Sequence, residues 1–176
     1  MALDHLATLK KMRTELAGRP CYGGLDLSSN TDLTAEALVF PFDSWAVLMR
    51  FWIPEDGLEQ RVKRDRVPYD TWAKQGLIEM TPGPAIDYGY IEQAILDDSQ
   101  HFELLEMAYD PRDARQLAQR LDAAGLVMVE FAQGYALLNE PSRFLETLTL
   151  KHELSHGGHP VLRWMAENAS IRTSPE

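Results

Sequence analysis

The sequence predicts an α/β fold in which a mixed sheet, an antiparallel three-strand meander followed by parallel strands, is flanked by helices. Two observations carry this prediction. Three apolar runs follow one another between residues 21 and 53 with only short polar breaks, which is typical of an antiparallel meander. Beyond residue 76, strand-like and helix-like segments alternate, which indicates parallel pairing through right-handed crossovers. The length of 176 residues favours a single domain.

The first third of the chain contains one predicted helix and the meander. Apolar residues recur at three- and four-residue spacing up to Leu16, so residues 1–19 are expected to form a helical arm or linker remnant outside the core. Residues 20–176 are expected to form the main domain. The three strands of the meander are predicted at residues 21–27, 33–42 and 45–53.

The rest of the chain alternates strands and helices after a charged segment at residues 54–66. Further strands are predicted at residues 77–80, 104–109 and 126–131. Helices are predicted at residues 69–75, 87–100, 111–124, 141–150 and 160–168. Asp87 is expected to cap the second of these helices, Pro111 to begin the third, and Gly125 to end it.

The composition restricts the setting and the partners of the protein. No apolar run has membrane-spanning length, and Cys21 is the only cysteine, so we expect no membrane partner and a reducing, cytoplasmic setting. The net charge of −10 opposes non-specific binding to a polyanion, so binding to DNA requires a local basic patch. The densest basic cluster would be either a phosphate-contact patch or a solvated face: Arg61, Lys63, Arg64 and Arg66.

Two aspartates stand where two predicted strands end. Asp26 alternates with Leu25 and Leu27, so it faces away from the apolar side of its strand. Asp110 follows an apolar run and directly precedes Pro111. Two carboxylates at the ends of separate strands can converge on a divalent cation, which suits metal-assisted phosphoryl chemistry. The alternative is local, with Asp26 capping a turn and Asp110 capping the helix that follows it.

Two further acids lie close to these positions in the sequence. Asp32 follows the first strand, and Asp113 lies one turn beyond Asp110. Either would support a metal ligand indirectly, through hydrogen bonding around the site. Both also fit the surface, and we favour that interpretation.

A histidine pattern offers a different chemistry. Residues 152–156, His152-Glu153-Leu154-Ser155-His156, have the form H-E-x-x-H, which on a helix places two histidines on one face for zinc and a glutamate as general base of a metallopeptidase. Gly157 and Gly158 break a helix directly after the second histidine. We therefore keep zinc metallopeptidase as the less favoured alternative, against a solvated helix end closed by Gly157.

A series of short segments runs through residues 19–174 in a constant order. It comprises CYGGLDLSSNTDLTA (21–35), DRVPYDTW (65–72), GLIEMTPG (76–83), AYDP (108–111), FAQG (131–134) and HGGHPVLRWMAEN (156–168). Together these segments resemble the nuclease domain of tailed-phage terminase large subunits. The resemblance implies an RNase H-like fold. It also implies metal-dependent endonucleolytic cleavage of concatemeric double-stranded DNA during genome packaging, in the cytoplasm of the host cell.

The resemblance also assigns residues and partners. Asp26 and Asp110 match the first two catalytic acids of the family and would hold two Mg²⁺ or Mn²⁺ ions. The implied partners are DNA, the terminase ATPase domain, the small terminase subunit and the portal. In the family, the segment that contains His156 is not associated with zinc.

The sequence departs from the family pattern in two respects. It has no Gly-x-x-x-x-Gly-Lys-Ser/Thr loop, so no nucleotide cofactor is expected in this chain. No residue matches the third acid of the family, which follows an Arg-Thr-x-Pro region, and the sequence stops at Glu176. We therefore expect a nuclease domain that lacks its C-terminal end. An inactive fragment or a non-catalytic packaging interaction module is the alternative.

Overall fold

A mixed sheet forms the centre of the computed structural model, which describes residues 4–28, 33–41 and 45–170. The strands are β1 (Pro20–Asp26), β2 (Thr34–Pro41), β3 (Trp45–Pro54), β4 (Glu79–Thr81), β5 (Glu103–Tyr109), β6 (Met128–Glu130) and β7 (Leu154–Ser155). The helices are α1 (His5–Glu15), α2 (Leu58–Asp65), α3 (Tyr69–Lys74), α4 (Tyr88–His101), α5 (Pro111–Ala123), α6 (Tyr135–Leu150) and α7 (Pro160–Glu167). None of these described helices is both long and apolar enough to cross a membrane.

The strands are ordered β4-β3-β2-β1-β5-β6, and the short β7 pairs with the start of β3. The β1–β2 and β2–β3 pairs are antiparallel, whereas β3–β4, β1–β5 and β5–β6 are parallel. The predicted meander followed by parallel strands is therefore confirmed. Because β1, β3, β4, β5 and β6 all run in one direction, their C-terminal ends meet at the same side of the sheet, which we call the carboxyl edge.

Each face of the sheet has its own apolar core. On the first face, residues such as Leu38, Trp52 and Met107 pack against Ile95 of α4 and Leu117 of α5. On the second face, the smaller core is confined to the β3 side of the sheet and contains Phe51, Ile53, Val67, Tyr69, Trp72, Leu77, Ile78 and Val161. Helices α2, α3 and α7 supply its cover, so the second face is covered over β3 and is more open over β1 and β5.

Local signals place several element ends correctly. The Asp87 side chain accepts a hydrogen bond from the Gly89 amide at 2.8 Å and caps α4, as predicted. Pro111 begins α5, and Gly125 with φ of 99° follows its end. These signals act within one turn of the chain, so they can be read without knowledge of the tertiary structure.

Three elements differ from the prediction because long-range packing decides them. The charged segment contains α2, whose Leu58 and Val62 face the second core. Helix α6 begins at Tyr135 and has Pro141 inside it, where the prediction had placed its start. Phe144 of α6 packs edge-to-face on Trp45 with ring centroids 5.1 Å apart, a contact that no helix propensity encodes. The two-residue β7 was not predicted at all.

Helix α1 lies against the domain. Leu16 is buried in the first core, and Leu9 and Met12 pack against the two cores. The loop before α7 approaches α1 so closely that a Cβ at Gly157 would meet Leu9 and Met12 at 2.8 Å, and Gly157 also has φ of 61°. The packing of α1 thus gives a physical reason for glycine at this position.

A buried ionic cluster joins β2, β3, α1 and α4. Arg50 donates to Glu79 at 2.8 and 3.0 Å and to Asp98 at 3.1 Å, and Arg13 also pairs with Asp98. Glu36 lies opposite Arg50 in the β2–β3 ladder and is fully buried. Burial and the neighbouring Asp98 carboxylate raise the pKa of Glu36 to about 8. Glu36 is therefore a protonated carboxylic acid at neutral pH.

We predict that Glu36→Gln removes part of the pH dependence of stability. The folded pKa of about 8 lies above the ordinary value of 4.5, so the folded state binds the proton more tightly than the unfolded chain. The stabilisation from Glu36 is complete below pH 4.5 and is lost as the pH rises towards 8 and beyond. Urea unfolding at pH 5, 7 and 9 should show a flatter profile for the variant.

The control for this experiment is Glu106→Gln, which also removes a carboxylate but from an exposed position on β5. It should leave the dependence that is ascribed to Glu36 in place. An unchanged pH profile in Glu36→Gln would show that Glu36 is ionised in the folded protein.

Candidate active site

Asp26 and Asp110 meet at the carboxyl edge of the sheet. In the parallel β1–β5 pair, Leu25 lies opposite Tyr109, so the residues that follow them are neighbours across strands spaced about 4.8 Å apart. Leu25 and Tyr109 are both buried, and alternation turns the next side chain of each strand to the other face. Both aspartates line one open depression of about 290 Å³ on the second face.

The floor of this depression consists of very small residues. Gly24, Ala35, Ala37 and Ala108 form it, and none has a side chain beyond Cβ. A Cβ at Gly24 would meet nothing within 4 Å, so packing does not demand glycine there. At the adjacent Gly23, a Cβ would clash with Met107, so that glycine serves the core. The low floor lets a broad ligand approach the two carboxylates.

Asp26 is electrostatically unfavourable in this position. Burial raises the pKa of its carboxyl group above the ordinary value, and the nearby charges of Asp110 and Asp113 raise it further. With the residues that the structure describes, Asp26 makes no hydrogen bond or ion pair. A cation between the two strand ends would relieve this repulsion.

Asp110 combines two roles that the sequence left as alternatives. Its Oδ1 accepts a hydrogen bond from the Arg112 amide at 3.0 Å and so caps α5. Its Oδ2 accepts from Nη2 of the Arg112 side chain, also at 3.0 Å. The hydrogen bonds from the Arg112 side chain and amide lower the pKa of Asp110. The capping role is therefore confirmed, and it does not prevent the carboxylate from facing the depression.

The other two acids have different outcomes. Asp113 is exposed in the first turn of α5, and its charge helps to raise the pKa values of both Asp26 and Tyr88, so it lies near the depression. It remains a candidate for a supporting role. Asp32 lies outside the described residues.

The donor set of the depression fits a hard divalent cation. Asp26 and Asp110 offer only carboxylate oxygens, the ligands that Mg²⁺ and Mn²⁺ prefer. The guanidinium of Arg112 already lies against Asp110, as a cation would. Within residues 4–28, 33–41 and 45–170, no group of three or more His, Cys, Asp or Glu side chains is arranged to hold a metal. The site thus rests on two carboxylates.

The basic cluster lies at the same edge of the sheet, but one member is buried. Helix α2 begins just after β3 ends, at the carboxyl edge, and Lys63, Arg64 and Arg66 are exposed. Arg61 is only 7% exposed, and its Nη1 donates to the carbonyls of Pro54 and Asp56 at 2.8 and 2.9 Å. Arg61 therefore ties α2 to β3, and its inclusion in a DNA-contact patch does not fit the structure.

The zinc hypothesis fails on backbone geometry. His152 has φ of 57° and follows the end of α6, and Leu154 and Ser155 form β7, so H-E-x-x-H does not lie on a helix. His159 is buried and caps α7 by accepting from the Val161 amide. Burial, with the charges of His5 and His156, lowers the pKa of His159 to about 4. This segment is structural, and the predicted pair of histidines on one helical face is wrong.

Sequence reasoning missed three residues around the depression. Met49 lies on its β3 side, and Gln133 lies beyond β6. Arg112 contacts Asp110 directly. The position of Gln133 within the FAQG segment and the spacing of Arg112, two residues after Asp110, were the available signals.

The comparisons with known proteins agree with one another. The family model described as "Terminase large subunit, endonuclease domain" matches residues 5–175. The terminase large subunit of Enterobacteria phage HK97 is 40% identical over 157 residues, which are 87% of this chain and 31% of that protein. Protein YmfN of Escherichia coli (strain K12) is 25% identical over 171 residues, or 92% of this chain and 38% of that protein.

A solved structure shows the same fold. The crystal structure of the HK97 bacteriophage large terminase matches with a TM-score of 0.75 and 39% sequence identity, over 86% of this chain and 34% of that chain. The chain therefore spans about a third of the length of these relatives.

We predict opposite stability effects for the two aspartates in the absence of divalent cations. Asp26→Asn removes a carboxylate whose ionisation the fold opposes, so it should raise the melting temperature at pH 7. Asp110→Asn removes the ion pair with Arg112 and weakens the cap of α5, so it should lower it. Thermal unfolding in EDTA measures both. A loss of stability in Asp26→Asn would indicate that this residue acts as a local cap.

Proposed function

This chain belongs to the family of terminase large-subunit endonuclease domains, and we propose that it is a metal-dependent nuclease domain that cuts concatemeric double-stranded DNA during genome packaging. The fold is RNase H-like, as in the HK97 terminase structure that it matches. Because the chain spans about a third of its relatives, the packaging activity of the whole protein is part of this proposal.

One observation carries the proposal. Asp26 and Asp110 end two parallel neighbouring strands, face the same side of the sheet and line one open depression. In open α/β sheets, ligands bind at the carboxyl ends of the strands, so the pair stands where a substrate is expected. The low floor of the depression leaves room for a nucleic-acid backbone above the carboxylates.

Asp26 and Asp110 would hold two Mg²⁺ or Mn²⁺ ions. When bound, such ions activate a water molecule and neutralise the charge that develops on the phosphate and the leaving oxygen. The contribution of the protein is position. The backbone amide of Arg112 fixes one oxygen of Asp110, and the β1–β5 register fixes Asp26 beside it.

The basic residues near the carboxyl edge would contact phosphates. A chain with a net charge of −10 repels DNA as a whole, so binding depends on where its positive side chains lie. Lys63, Arg64 and Arg66 are exposed on or next to α2, at the same edge as the carboxylates. Asp113 and Gln133 would complete the surroundings of the site.

The partners in this proposal follow from the family. The cut would take place in an assembly that includes a terminase ATPase domain, a small terminase subunit and a portal, in the cytoplasm of the host cell. No Walker-type phosphate loop is present in the sequence, so this chain would contribute cleavage and no nucleotide hydrolysis.

A non-catalytic interaction module is the second candidate. It is favoured by one observation: the described residues contain no cluster of three acids of the kind that the family uses. In that case, Asp110 would serve only to cap α5, and Mn²⁺ would not bind in a manner that depends on Asp26.

We predict weak Mn²⁺-dependent nicking of supercoiled plasmid that Asp26→Asn abolishes. Two carboxylates hold the cations less firmly than three, so both occupancy and rate should be low. Gel assays with Mn²⁺, with EDTA and with the exposed control Asp97→Asn measure this. Nicking that persists in Asp26→Asn would exclude the proposed site. Calorimetry that shows no binding of Mn²⁺ to the wild-type chain would favour the interaction module.

We predict that the exposed basic residues of α2 set the salt dependence of DNA binding. Replacing Lys63 or Arg64 by Gln should weaken duplex binding and reduce the slope of log K against log salt by about one per lost phosphate contact. Lys151→Gln is the matched control, since Lys151 follows α6 beside the start of β3, at the opposite edge of the sheet. Equal effects of all three changes would place the DNA elsewhere.

A further inference from the structure

The side chain of Arg112 lies against the carboxylate of Asp110. Its Nη2 is 3.0 Å from Oδ2, and its Nε is 3.4 and 3.3 Å from Oδ1 and Oδ2. The Arg112 side chain is 72% exposed, whereas that of Asp110 is 13% exposed. The arginine therefore closes the solvent side of a carboxylate that faces the depression.

The two oxygens of Asp110 are held in different ways. Oδ1 accepts from the backbone amide of Arg112 at 3.0 Å, a contact that is part of the α5 cap and lasts as long as the helix does. Oδ2 is bound by the Arg112 side chain alone. A long, exposed side chain can leave without disturbing the helix, so Oδ2 can be released while Oδ1 keeps the carboxylate oriented.

The charge at Asp26 differs from that at Asp110. Within the described part of the chain, Asp26 has no basic partner, and Asp110 and Asp113 lie nearby. Arg112 thus neutralises only one of the two carboxylates, and the pair as a whole remains short of positive charge.

We propose that Arg112 is a placeholder cation: its guanidinium holds Asp110 until divalent cations bind between Asp26 and Asp110, and then moves to a phosphate of the DNA. This inference rests on the proposed function, since it requires cations at the two carboxylates. It makes Arg112 a positioning residue that competes with the cation in the free protein. It also adds one phosphate contact once the cation is bound.

The exchange follows from simple electrostatics. An exposed ion pair of this kind is weak, so a divalent cation shared by two carboxylates displaces it readily. The released guanidinium remains at the rim of the depression because Arg112 is fixed at the start of α5. Guanidinium groups bind phosphate oxygens through two parallel hydrogen bonds, which suits this second position.

The test is a calorimetric titration of the whole chain with Mn²⁺. Arg112→Gln should bind Mn²⁺ about two- to fivefold more tightly than wild type, the range that corresponds to one lost exposed ion pair. Arg115→Gln is the control, since Arg115 lies one turn further along α5 and pairs with Glu130 at 3.7 Å. A tightening of the same size in Arg115→Gln would indicate a general charge effect and overturn the proposal.

A second measurement uses a duplex with phosphorothioate linkages that resist cutting. In EDTA, Arg112→Gln should bind this duplex as wild type does, because the guanidinium is engaged by Asp110. With Mn²⁺ present, the variant should bind more weakly and show a salt slope lower by about one. Weaker binding in both conditions would show that Arg112 is a constant phosphate contact and overturn the exchange.

The outcomes separate this inference from the proposed function. If Mn²⁺ binds to the wild type and Asp26→Asn abolishes the binding, the metal site stands. Unchanged or weaker Mn²⁺ binding in Arg112→Gln then overturns only the placeholder role, and leaves Arg112 as a surface partner of Asp110. If the wild type does not bind Mn²⁺, the proposed function itself fails.

Discussion

The parallel pairing of β1 with β5 is the constraint on which the rest of this protein depends. The two strands are separated by the meander and by helices α2 to α4, so nothing local brings them together. Their register places Leu25 opposite Tyr109, and the two residues that follow are Asp26 and Asp110. A shift by one residue would turn one carboxylate towards the apolar first face. The core on that face therefore holds the site in place.

The cost of the site is charge repulsion, which the fold distributes among different solutions. Asp110 is satisfied by the α5 amide and by Arg112. Asp26 is left with a raised pKa, which marks it as the position where a cation gains most. Elsewhere, the buried Glu36 keeps its proton, beside Asp98 and two arginines. Thus the same excess of acid is neutralised by a proton inside the fold and, in our proposal, by a metal at its edge.

The division of the sheet into a covered and an open half explains how such a small domain presents a site. Helices α2, α3 and α7 pack over β3 through the aromatic core of Tyr69, Trp72 and neighbouring residues. Over β1 and β5, the second face carries only glycine and alanine around the carboxylates. Substrate access therefore comes from small residues on a rigid sheet, and the surrounding helices supply the charges.

The sequence by itself determined the features that depend on a few neighbouring residues. Alternation around Leu25 showed the direction of Asp26, the Asp110–Pro111 pair showed the start of α5, and the order of apolar runs showed the meander. The series of family segments gave the family. Tertiary structure alone decided the burial of Arg61, the non-helical path through His152 and the contact of Arg112 with Asp110. Those features depend on residues distant in sequence or on the exact path of a turn. Hydrophobic periodicity reports which side of an element is apolar, but it carries no information about which partner that side will meet.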